Sequence, residues 1–182
     1  MAKMIVVYKS RYGFTDKYAH WIAQETGADL AEAGKIKAED LQNYDVVIYG
    51  GGLYAGGVNG ISLITKAFSS IADKVLYLFT VGAADVCDKE NINNIRHSLT
   101  KVLTPDMMNK IKIFHFRGGI DYPRLSSIHR IMMAAMVKTI KKKGAAELNN
   151  EEKMMLDTYG QRVDFTDRAA IAGMIDDLKL LQ

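Results

Sequence analysis

The sequence predicts an α/β fold: a doubly wound, five-stranded parallel sheet covered by helices on both faces. Three observations carry this prediction. Short apolar runs recur along the chain, too continuous for strands with one wet face. Helix-length segments separate them. The loops that follow three of the runs are rich in glycine or hydroxyl residues.

Taken in order, Met4-Ile5-Val6-Val7 is the first buried strand. A helix-length segment from Asp16 to Glu25 follows and is closed by Gly27, the residue type that ends helices in the left-handed region. Ala28 to Ala33 is a weaker second strand, and Asp45 to Gly50 a clear third. A helix is expected over about Gly60–Ser70, and a fourth strand from Lys74 to Thr80. Another helix is expected over Glu90–Leu103. The fifth strand, Ile111 to Phe116, interleaves Lys112 and His115 and so reads as an exposed edge. The last helix spans Asp167–Leu181, with Thr166 placed to cap it.

The stretch from about 122 to 161 is an insertion that five strands do not require. Its centre, Leu125–Lys143, is a helix candidate. On a helical wheel Leu125, Ile128, Met132, Ala135, Met136 and Ile140 share one face, opposite Ser127, Arg130, Lys138 and Lys141. Two readings of this Met-rich face stand side by side. It packs on the domain or in a homodimer, or it lies on an anionic membrane or a greasy ligand.

Bulk properties exclude several classes. The 182 residues suffice for one domain, residues 1–182, with a real core. Hydrophobic residues make up 48% and charged ones 25%, an ordinary globular balance. The net charge of +3 comes without a long basic block, so no nucleic-acid partner is expected. The single cysteine, Cys87, excludes an internal disulfide and fits a reducing compartment. Met1-Ala2-Lys3 leads directly into the first strand, and no apolar run approaches the ~20 residues of a membrane span. A cytoplasmic location is therefore expected, with peripheral contact at the inner face of the membrane as an option. His97, His115 and His129 have no Cys or His at ligand spacing, and His20 reads as a surface residue of the first helix, so no metal site is expected.

Ligands of such sheets bind beyond the C-terminal ends of the strands, which singles out three loops. The first is Ser10-Arg11-Tyr12-Gly13-Phe14-Thr15. Unpaired N–H groups and the helix dipole make this strand–helix junction a cradle for one phosphate, with Ser10 and Thr15 as hydroxyl donors and Gly13 allowing close approach. The spacing matches neither a dinucleotide fingerprint nor a P-loop. The second loop holds Gly51, Gly52, Leu53, Tyr54 and Ala55, where glycines allow unusual dihedrals and Tyr54 offers a flat face. The third holds Val81, Gly82, Ala83, Ala84 and Asp85, the last able to bond a ring nitrogen or to start a turn. A phosphate cradle plus two loops bracketing a flat group is what flavin mononucleotide (FMN) needs.

The first loop resembles the phosphate loop of flavodoxins, which implies a flavodoxin-like sheet of order 2-1-3-4-5. Within that superfamily the chain is similar to the flavodoxin-type, menaquinone-linked protoporphyrinogen dehydrogenases. The matching stretches are Ser10 to Thr15, Ile48 to Tyr54, and Gly118-Gly119-Ile120-Asp121-Tyr122-Pro123-Arg124 with the basic Met-rich helix behind it. The resemblance implies FMN as cofactor, and a porphyrinogen donor with a quinone acceptor. Tyr122 and Arg124 are then candidate substrate contacts, Arg124 by pairing with a carboxylate. The alternative is a non-enzymatic electron carrier of flavodoxin type. Such carriers are usually markedly acidic, and the mild positive charge here argues against docking to the same basic partners.

Overall fold

The computed structural model describes residues 2–54 and 57–181. Its main sheet contains β1 (Met4–Lys9), β2 (Asp29–Glu32), β3 (Val46–Tyr54), β4 (Gly57–Val58), β5 (Val75–Gly82) and β6 (Ile111–Arg117). The order is β2-β1-β3-β5-β6, and every pairing along that path is parallel. This is the order expected for five strands. The short β4 folds back antiparallel on the end of β3.

Residue alternation splits the core in two. Met4, Val6, Val46, Ile48, Tyr77 and Phe79 pack beneath α1 (Phe14–Thr26) and α7 (Ala172–Lys179). Ile5, Val7, Val47, Tyr49, Leu76 and Leu78 pack on the other face, beneath α2 (Ser62–Ile71), α3 (Lys89–Leu99) and α4 (Pro105–Lys110). Both faces of the sheet are therefore dry, which is why its strands read as continuous apolar runs.

Several boundaries differ from the expectation, each for a local reason. The first helix begins at Phe14, so Phe14 and Thr15 lie in its first turn. The third strand runs on to Tyr54, and Gly51 and Gly52 belong to it. Their backbones are ordinary; what they supply is clearance. A Cβ on Gly51 would lie 2.3 Å from Val58 Cγ1, and one on Gly52 2.7 Å from the Tyr54 ring. The third helix stops at Leu99, where the ladder tightens into turns with the Lys101 amide donating to the Ser98 carbonyl at 3.3 Å and the Val102 amide to the Leu99 carbonyl at 3.0 Å, and Pro105 then opens α4. Thr104 caps that helix, accepting from the Met107 amide at 3.3 Å. At the C-terminal end Asp167, not Thr166, is the cap. Its Oδ1 accepts from the Ala169 amide at 2.9 Å, whereas the Thr166 hydroxyl donates to Asp164 at 2.7 Å. A 3-10 turn over Arg168–Ile171 precedes α7.

The insertion is pinned at both ends. β7 (Gly119–Asp121) pairs antiparallel with β8 (Arg162–Asp164). Between them lie α5 (Ser127–Ile140), capped by Ser126, and α6 (Asn150–Asp157), opened by a capping box of Asn149 and Glu152. Only the ends of the expected apolar face of α5 are buried. Leu125, Val137 and Ile140 are buried, whereas Ile128, Met132, Ala135 and Met136 are exposed. The buried line runs Leu125, His129, Met133, Val137 at steps of four, with a half-buried histidine where the wheel seeks an apolar residue.

Candidate functional site

The site is built where β1, β3 and β5 end, from the turn between β1 and α1 outward. Gly13 occupies the N-cap position of α1 with φ +94°, a left-handed conformation that L side chains rarely adopt. The Ser10 Oγ accepts from the Gly13 amide at 3.1 Å and closes the loop. No side chain caps α1. The first intrahelical bond is from the Lys17 amide to the Gly13 carbonyl at 3.1 Å. The amides of Phe14, Thr15 and Asp16 precede it and have no carbonyl within the helix to pair with. A tight loop, a left-handed glycine and an uncapped helix start suit an anion. Arg11 is exposed beside this turn, and Thr15 is buried within it.

Tyr12 leaves the loop in another direction. Its ring is buried, and its hydroxyl meets His129 Nδ1 at 2.8 Å. The His129 ring in turn stacks on Tyr54, with centroids 5.5 Å apart and planes 12° off parallel. Tyr12 meets Tyr54 edge-on at 5.8 Å. Burial pushes the Tyr54 phenol up to about 12, so it stays protonated at neutral pH. The aromatic group offered by the second loop is therefore bridged to the first loop by a residue of the insertion.

These three rings edge a cavity of about 230 Å³. Leu53 and Ala83 supply the sheet side, and Met132, Met133, Met136 and Met155 the side facing α5 and α6. Asp121 also reaches the cavity, but its carboxylate is engaged by Arg162 at 3.7 Å and by the Arg124 amide at 3.3 Å. A larger cleft of about 500 Å³ lies between α3, α5 and α6. It is lined largely by Asn, Asp and Glu, shares Met136 and Met155 with the smaller cavity, and has no residue of the first two loops in its lining.

The third loop reaches the cavity through Ala83 and is otherwise committed to structure. Val81 is buried, and a Cβ on Gly82 would lie 3.1 Å from Leu53. Ala84 is half-buried beside them. Asp85 starts a turn by accepting from the Cys87 amide at 2.9 Å and pairs with Arg117 at 3.3 Å. Phe14 points under β7, where a Cβ on Gly119 would lie 2.9 Å from its ring. Ala55 falls outside the described residues.

Tyr122 and Arg124 are not brought to the cavity. Tyr122 is buried edge-on against Tyr159 at 5.2 Å, and its hydroxyl has no hydrogen-bond partner among the described residues. Arg124 is exposed. The residue that sequence reasoning passed over is His129. Its signal was positional, on the i, i+4 line between Leu125 and Met133, and was hidden by a wheel centred one residue away.

A sequence model of the family described as Flavodoxin domain matches residues 5–147. An uncharacterized protein of Methanocaldococcus jannaschii is 36% identical over 55 residues, which cover 30% of this chain and 37% of that protein. The chain thus spans little more than a third of the curated relative it matches. Among solved structures, a flavoprotein from Lactobacillus acidophilus in complex with FMN is 14% identical, with 64% of this chain and 93% of that one covered and a TM-score of 0.43. Oxidised Flavodoxin 1 from Bacillus cereus is 17% identical over 63% of this chain and 84% of its own, with a TM-score of 0.40.

Proposed function

The chain belongs to the Flavodoxin domain family, and from that premise we propose that it is an FMN-binding oxidoreductase of the quinone-linked dehydrogenase type. The observation that carries the reading is the pairing of an uncapped, glycine-led helix start with an adjoining cavity walled by aromatic rings and methionines. The first suits a phosphate and the second a flat apolar ring. Ser10, Gly13 and the first-turn amides of α1 would hold the phosphate, with the Thr15 hydroxyl beside them. Tyr12, Tyr54 and Leu53 would hold the ring. Bound FMN would supply the electron-transfer chemistry, and the protein's part is to orient it and exclude water.

An enzyme rather than a carrier is favoured by the insertion. It covers the cavity with α5 and α6, whereas a carrier leaves that edge open for its partner. Porphyrinogen is the first electron donor to try with a quinone acceptor, then reduced nicotinamide. The purified chain should show the yellow two-band spectrum when reconstituted with FMN, and turnover should follow with one of these donors. A flavin-loaded protein that turns over none of them, yet exchanges electrons rapidly with redox proteins, is a carrier.

A second observation supports contact with a membrane surface. Ile128 (71% exposed), Ile131 (70%), Met132 (46%) and Met136 (43%) form an exposed apolar row on α5. Arg124, Arg130, Lys138, Lys141 and Lys142, on the same helix or at its ends, are exposed as well. A helix with an exposed apolar row and a basic opposite face suits an anionic bilayer. No helix among the described residues is long and apolar enough to cross a membrane, so the contact would be peripheral.

A further inference from the structure

Helix α5 does more than cover the cavity, because it contributes a titratable group at the point where the two cofactor loops meet. His129 is half-buried, lines the cavity, stacks on Tyr54 and is fixed through Nδ1 by the Tyr12 hydroxyl at 2.8 Å. The Ser126 amide approaches the same hydroxyl at 3.5 Å, so the start of α5 and the first loop converge on one oxygen. His129 Nε2 has no hydrogen bond among the described residues. The rest of the cavity wall is mostly apolar, with Asp121 tied to Arg162 and to the Arg124 amide.

We propose that His129 is a positioning residue of the cofactor wall, its Nε2 presented to the flavin ring and its charge state linked to the ring's redox state. The inference rests on the FMN reading above. Its physical basis is electrostatic. Reduction makes the ring region more negative, and a nearby negative charge favours the protonated imidazole. The midpoint potential then depends on pH across the imidazole titration. The other groups that face His129 are Tyr12 from the first loop, Tyr54 from β3, Asp121 from β7 and Arg130 on α5 itself. Arg11 lies 5.9 Å over the Tyr12 ring. Among these side-chain types, imidazole is the one whose charge ordinarily changes near neutral pH.

The test uses the full chain loaded with FMN, and compares the parent with His129→Gln, His129→Leu and Tyr12→Phe. Affinity is read by flavin fluorescence, and the midpoint potential is read from pH 5.5 to 8.5. The parent should show a break in potential against pH that both His129 variants lack. Both should bind FMN more weakly by about 2- to 10-fold, as for loss of one neutral hydrogen bond. Tyr12→Phe should keep the break but displace it, because it frees Nδ1 without removing the imidazole. Thermal melting of each apo-variant separates loss of fold from loss of contact. If His129→Gln folds, binds FMN as tightly as the parent and keeps the same break, the inference is wrong. A parent that binds FMN but shows no break overturns it and leaves the FMN reading standing. A folded parent that takes up no FMN overturns both.

Discussion

Thr15 lies in the first turn of α1, buried beside the amides that the loop leaves unpaired. If that turn holds a phosphate, Thr15→Val removes a donor while keeping shape. Loss of a hydrogen bond to a charged group is worth about 1.5–3 kcal/mol, or about 10- to 150-fold in affinity. FMN titration of the variant should show that loss, and riboflavin, without a phosphate, should bind the parent far more weakly than FMN. Unchanged affinity would move the cradle elsewhere. His115 makes a different prediction. It faces Thr80 at 2.7 Å, and its buried Nε2 has no partner among the described residues. Burial, and then the charge of Arg96, push its pKa from 6.5 down to about 4. The folded state therefore keeps this imidazole neutral while the unfolded chain takes up a proton below about 6.5. Its contribution to stability is full above that pH and is lost as pH falls toward about 4. Chemical denaturation across this window should show a steeper fall for the parent than for His115→Leu. Equal slopes would mean that the imidazole is solvated.

At the scale of elements, the insertion stays in place through close backbone contacts as much as through α5. A Cβ on Gly119 would lie 2.1 Å from the Val163 carbonyl oxygen, on the partner strand, and 2.9 Å from the Phe14 ring. Backbone cannot yield as a side chain does, so Gly119→Ala should destabilise by about 1–3 kcal/mol in denaturant titrations. A cost near zero would mean that β7 and β8 separate readily. Helix α5 offers a sharper contrast, between Ile140, 5% exposed, and Ile131, 70% exposed. Ile140→Ala should cost about 2–5 kcal/mol, while Ile131→Ala should stay within about 0.5 kcal/mol. The reverse ranking would mean that the outward side of α5 is the packed one. That face failed for a specific reason. The wheel ranks residues by apolarity, and here a histidine with a partner in Tyr12 turns inward while Ile128 and Met132 stay exposed.

For the molecule as a whole, the modest net charge of +3 hides an uneven distribution, with exposed cations and no acidic residue from Arg124 to Lys143. Flotation with vesicles rich in anionic lipid should carry the protein. Raised salt, or glutamate at both Ile128 and Ile131, should release it, while zwitterionic vesicles should bind much less. Indifference to lipid charge, with concentration-dependent mass in sedimentation, would instead give that face to a second copy of the chain.

The sequence by itself determined the sheet, its five parallel strands and the turn from Ser10 to Thr15. Those features rest on local pattern: apolar runs for strands buried on both faces, and glycine where the backbone turns left-handed. Only the tertiary structure decided that Gly51 and Gly52 clear space inside β3, that Asp85 pairs with Arg117, and that Tyr122 faces Tyr159 rather than the cavity. It also decided that His129 meets Tyr12 and Tyr54. More than a hundred residues separate His129 from Tyr12. No period or spacing along the chain encodes such a contact, which exists only once β7 and β8 have closed the insertion onto the end of the sheet.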